Sequence, residues 1–204
     1  ELARAHDILF HTDGVQLVAS RRWHFDNEPI DLMTIAPHKF YGPKGIGILL
    51  IRQGVKLISS QTGGGHENGV RAGTLNVPLI AGAAEALRLA MDEQDSRIAH
   101  VTSLRDQLLD QLPAALPGLC LITGHLSERL PHHASFAFRN VTGNDLLMHL
   151  DVAGIAASSG SACSSGDPKP SAVLESVGLG PEWTKGGLRL TLGAQNTTQE
   201  IDYT

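Results

Sequence analysis

Three short apolar runs, residues 8–10 (ILF), 32–35 (LMTI) and 46–51 (IGILLI), are set apart by polar or glycine-rich connections. A long stretch of helical periodicity follows them. This succession constrains the fold more than any other feature, because brief apolar runs between turn formers are the mark of buried strands in an α/β sheet. Over residues 77–112 the apolar positions Ile80, Ala84, Leu87, Leu104, Leu108 and Leu112 recur with charges interleaved, which predicts one long helix or two abutting ones. Pro113 and the Pro117–Gly118 pair are expected to end it. The pattern thins into polar residues over 92–100. A domain boundary is placed there, dividing the chain into 1–95 and 96–204.

Beyond the boundary, short strands are expected at 119–122 and 134–138, with a helix at 143–150, the alternation of a small α+β domain. A glycine- and serine-rich stretch, ASSGSACSSGDPKPS, precedes a helix expected at 170–177 and a last strand at 188–192. At the other end, the polar, helix-like ELARAHD leads into a strand expected to be buried at 8–11. The chain starts without methionine and stops within an apparent helix start, so it reads as part of a longer polypeptide with at least one earlier strand.

Composition narrows the function. With 42% apolar and 18% charged residues and 22 glycines in 204, the chain is expected to be a soluble globular protein of one or two domains. The net charge of -5 is not accompanied by any Lys/Arg run, so nucleic acid and anionic membrane surfaces are poor partners. No apolar run approaches the roughly 20 residues that cross a bilayer. The two cysteines, Cys120 and Cys163, do not form a disulfide framework, which fits a reducing cytoplasm. Ten histidines raise the question of a metal, but none stands at the spacing of a zinc site, and no metal is expected.

Two constellations carry chemistry. In HTDGVQ, Asp13 stands where an apolar strand runs out. In APHKFYGPKGIG, Lys39 follows His38 just past the next strand and precedes glycines that let the backbone turn tightly. A lone strand-end aspartate is usually a turn residue, and a His-Lys pair is usually a solvated loop. Together, a carboxylate and a lysine at successive strand ends suit Schiff-base chemistry. Cys163 lies among small residues in SSGSACSSG, unlike Cys120 in PGLCLITG, where a buried strand would make the thiol a small hydrophobe.

HTDGVQ, APHKFYGPKGIG, GGGHENGVRAGTLNV, SSGSACSSGDPKPS and LRLTLG resemble, in order and interval, the motif series of NifS-like cysteine desulfurases, enzymes of the class-V aminotransferase group. The resemblance covers essentially the whole chain. It implies a PLP-dependent transferase of fold type I, here the second half of the large, mainly parallel-sheet domain plus a small α+β C-terminal domain. By the same resemblance Lys39 would hold pyridoxal 5'-phosphate through a Schiff base and Asp13 would meet the pyridinium nitrogen. Gln16 would meet the phenolic oxygen and His38 the phosphate. Thr74 would donate to the cofactor phosphate of a partner subunit, which implies a homodimer. Arg189 would grip the substrate α-carboxylate, and Cys163 would take sulfur from L-cysteine as a persulfide for an iron–sulfur scaffold or another acceptor protein.

The family commonly carries a serine or threonine three residues before the lysine. This chain has Ala36, with Thr34 on the same strand face as a substitute. The family's phosphate-binding turn and ring-stacking histidine would lie upstream of Glu1, so this segment made alone is expected to bind the cofactor weakly and turn over little. Two rival readings are a selenocysteine lyase and a non-catalytic dimerising or sulfur-relay module.

Overall fold

The computed structural model describes residues 1–159 and 170–204. The chain divides into two compact units, Glu1–Ser96 and Arg97–Thr204. In the first, a short helix α1 (Leu2–Ala5) precedes strands β1 (His11–Asp13), β2 (Leu32–Ile35) and β3 (Ile48–Ile51). They form a sheet in the order β1-β2-β3, with β1 and β2 parallel and β3 antiparallel to β2. Helix α2 (Val77–Asp92) starts at the N-cap Asn76, whose side chain accepts from the Leu79 N–H, and Pro78 sits in its first turn. Its small residues Ala86 and Ala90 are buried with Val18, Ile30, Met33, Ile35 and Phe40 in one apolar cluster.

Helix α3 (Gln94–Ala115) follows after the single residue Glu93, so the long periodic stretch is two abutting helices. The second unit holds β4 (Cys120–Ile122), β5 (His133–Phe138), α4 (Gly143–Val152), α5 (Ala172–Ser176), α6 (Pro181–Thr184), β6 (Gly187–Thr191) and α7 (Thr198–Tyr203). Its sheet, β4-β5-β6, is antiparallel throughout. Leu104, Leu108 and Leu109 of α3 bury one face against Phe136 and Phe138 of β5 and Leu188 and Leu190 of β6. One α3 stripe at helical spacing thus meets strand residues of period two.

Several boundaries differ from the expectations. The strand expected at 8–11 begins only at His11, and Ile8, Leu9 and Phe10 are exposed. Before the ladder starts, Asp31 captures the chain: the Phe10 N–H donates to its carboxylate at 2.8 Å, and its own N–H donates to the Phe10 carbonyl at 2.9 Å. Pro113 does not end α3. It sits in the last turn, where its missing N–H forfeits a single bond, and the helix stops at Ala115 ahead of Pro117. The helix expected from Pro170 starts later, because Ser171 is its N-cap and accepts from the Leu174 N–H.

Candidate active site

Strand pairing builds the site. Because β1 and β2 are parallel, their carboxyl ends leave the sheet on the same edge, where ligands of open α/β sheets gather. Asp13 is the last residue of β1, in register with Thr34 of β2. After Ala36 the chain enters a 3-10 turn, Pro37–Phe40, carrying His38 and Lys39. Proline presets the first position of this turn, and Tyr41 closes it in the left-handed region at φ 68°. Pro37 and Phe40 are buried, which leaves His38 and Lys39 between them facing solvent. At Gly42 a Cβ would lie 2.9 Å from the Pro37 carbonyl oxygen and 3.1 Å from Ala86 Cβ, so the exit from the turn against α2 requires glycine.

The turn leaving β1 is equally tight. Gly14 donates to the Thr34 carbonyl at 2.8 Å, and a Cβ there would sit 2.7 Å from Met33 Cγ. Asp13 Oδ1 accepts from the Val15 N–H at 2.9 Å, an Asx turn that orients the carboxylate. Its Oδ2 has no hydrogen-bond partner among the described residues. Gln16 is exposed in the same turn, which the Leu17 N–H closes by donating to the Gly14 carbonyl at 2.9 Å.

One residue here went unassigned in the sequence. His11 Nε2 and Thr34 Oγ1 share a hydrogen bond of 2.8 Å. The strand period of two puts His11 on the face of Asp13, and that was the available signal. Thr34 thus already has one hydrogen-bond partner on this face.

The remaining candidates lie elsewhere in the chain. Thr74 is exposed just ahead of α2, and no hydrogen bond joins it to Asp13, Gln16, His38 or Lys39 among the described residues. Arg189 is in the second unit, on the exposed face of β6 opposite Ser135. Its backbone forms a bridge with Ser158, N–H to carbonyl at 2.6 and 3.0 Å. His133 lies on that face diagonally from Arg189; burial first, then the charges of Arg129 and Arg189, hold its pKa below the ordinary histidine value. Burial and neighbouring His133 do the same for His132. Cys163 lies outside the described residues.

Cys120 has a definite environment: it is 4% exposed on β4, among Leu104, Leu108 and Phe138. Burial pushes its thiol up to about 11, so near neutral pH it carries almost no thiolate. Alkylation of the folded protein near neutral pH should leave Cys120 unmodified and label it only after denaturation. Rapid native labelling, read by peptide mass, would refute its burial. The sign of the linkage follows from the raised pKa: neutral Cys120 favours the fold, and this contribution fades as pH climbs from the unfolded thiol's range through about 11.

An exposed primary amine, a carboxylate with one free oxygen, an amide and an imidazole occupy the turns that leave β1 and β2. This donor set fits pyridoxal phosphate: the amine can condense with an aldehyde, the carboxylate can hold a protonated ring nitrogen, and the amide and imidazole can donate to phenolate and phosphate oxygens. Among the described residues no three His, Cys, Asp or Glu side chains gather to hold a metal ion, and no helix is long and apolar enough to cross a membrane.

The pattern of the family described as aminotransferase class-V matches residues 1–204. The chain is 42% identical, over its whole length, to proteins named cysteine desulfurase IscS from Dictyoglomus turgidum and Clostridium botulinum, covering 52% and 51% of them. It thus spans about half the length of these curated relatives. Among solved structures it is similar to a NifS-like protein at TM-score 0.86 and 33% identity, covering 97% of this chain and 50% of that one. A NifS-like protein from Rickettsia africae is similar at TM-score 0.87 and 28% identity, covering 99% and 53%.

Proposed function

Because this chain belongs to the class-V aminotransferase family, we propose that it is the C-terminal half of a PLP-dependent cysteine desulfurase, which takes sulfur from L-cysteine and releases L-alanine. One observation carries the reading: Asp13 and Lys39 stand at the carboxyl ends of adjacent parallel strands, in turns built by buried Pro37 and Phe40 and by the close approach at Gly14. Residues 1–95 are then the second half of the cofactor domain and 96–204 the small domain. The protein works as a cytoplasmic homodimer in which Thr74 of each protomer serves the phosphate of its partner's cofactor.

When bound, pyridoxal phosphate supplies an electron sink for the electron pair left at the substrate Cα. Lys39 Nζ would hold the cofactor, and the same amine would carry the proton from the substrate Cα. Asp13 Oδ2 keeps the ring nitrogen protonated while Oδ1 remains tied to Val15. Gln16 and His38 bind the phenolic and phosphate oxygens, and the Arg189 guanidinium pairs with the α-carboxylate. The Cys163 thiolate attacks the substrate sulfur; an S–S bond forms as the Cβ–S bond breaks, the electron pair of that bond stays with the carbon fragment, whose Cβ takes up a proton to become the methyl group of alanine, and a persulfide is left for an iron–sulfur scaffold or another acceptor.

The test is turnover by the full-length protein. With L-cysteine, alanine should appear in step with persulfide on Cys163. A strong preference for selenocysteine would replace the reading with a selenocysteine lyase, and no cofactor absorbance at all would leave a non-catalytic module.

A further inference from the structure

Asp13 and Thr34 are cross-strand neighbours, and the parallel register puts their side chains on the same face. A threonine hydroxyl both donates and accepts, and a carboxylate oxygen is its natural acceptor. With Oδ1 of Asp13 tied to the Val15 N–H, Oδ2 is the oxygen left for a cationic ring nitrogen. The Thr34 hydroxyl is the nearest competitor for that oxygen by strand position. It lies instead 2.8 Å from His11 Nε2, two positions back along the same strand face; in the tautomer with Nε2 unprotonated the hydroxyl donates its single proton to the imidazole and has none left for Asp13. We propose that His11 is a positioning residue: by holding the Thr34 hydroxyl, it keeps the second oxygen of Asp13 open for the cofactor nitrogen.

This inference rests on the cofactor reading above and extends it to a residue that touches neither cofactor nor substrate. The mechanism has a signature that ordinary structural support would not produce. If His11 only braced the sheet, deleting its partner hydroxyl would mimic deleting His11. If His11 restrains a competitor, removing the competitor makes His11 dispensable.

The experiment uses the full-length protein, stripped of cofactor and reconstituted with pyridoxal phosphate, with affinity read from the visible absorbance of the lysine-bound cofactor. His11→Ala should weaken binding about fivefold to tenfold, the effect of one competing hydrogen bond. Thr34→Val should bind within about twofold of the parent, and His11→Ala placed on Thr34→Val should cost nothing further. His11→Phe, which keeps the ring volume without nitrogens, repeats the comparison should the alanine variant not fold, and the melting point of each cofactor-free variant tracks global stability. Equal losses in His11→Ala and Thr34→Val, or an undiminished His11 effect on the valine background, would overturn the proposal. Asp13→Asn separates the two levels: if it leaves affinity unchanged, or if the parent forms no lysine-bound cofactor, the cofactor reading itself falls.

Discussion

Lys39→Ala in the full-length protein is expected to abolish the absorbance of lysine-bound cofactor and to lower alanine release from L-cysteine by at least about 10²–10⁴-fold, the share usually held by a positioned proton carrier. The loss is double, because the same Nζ is both the attachment point and the base. Folding should be nearly untouched: Lys39 is exposed, and the turn is held by Pro37, by Phe40 at 1% exposure and by the Lys39 N–H donating to the Ala36 carbonyl at 3.0 Å. A melting point of the cofactor-free variant within a degree or two of the cofactor-free parent would confirm that. Alanine release at near the parental rate would remove Lys39 from the mechanism.

Cys163→Ser is expected to be as complete for sulfur transfer while sparing the cofactor. A serine hydroxyl, with a pKa far above neutrality, supplies almost no anion to attack sulfur, whereas a thiol supplies an appreciable thiolate fraction. The variant should bind pyridoxal phosphate and L-cysteine, change its visible spectrum on adding substrate, and form no persulfide by a thiol-blocking mass shift. The other cysteine gives no escape route, since Cys120 is buried on β4 and its thiol is pushed up to about 11. Persulfide on Cys120 with alanine output preserved would sink the assignment.

How much of this was legible in the residues depends on the range of the forces involved. β2 is found where the LMTI run placed it, because three apolar residues and a β-branched threonine before a proline turn favour an extended, buried strand. The break between α2 and α3 was visible as a loss of apolar period around Asp92, and the turn around Lys39 was announced by Pro37 and Gly42. By contrast, the run at 8–10 read as a buried strand and is exposed, and the chain there meets Asp31, 21 residues away from Phe10, through hydrogen bonds that no local pattern announces. Pro113 looked like a stop and is not one. The tertiary contacts of Leu108 and Leu109 carry α3 through its last turn at the loss of one bond.

The sequence by itself determined which residue types stand at the ends of which strands: Asp13 at the end of one, Lys39 just past the next, and an isolated Cys163 among small residues. Local period, glycine and proline are properties of neighbours along the chain, so they survive without a fold. Only the tertiary structure decided that β1 and β2 run parallel in the register Asp13↔Thr34, and that His11 reaches a hydroxyl 23 residues away. A strand's period says which side chains share a face but not which strand lies beside it. That choice is made by hydrogen bonds and burial between distant segments, which no single stretch of sequence contains.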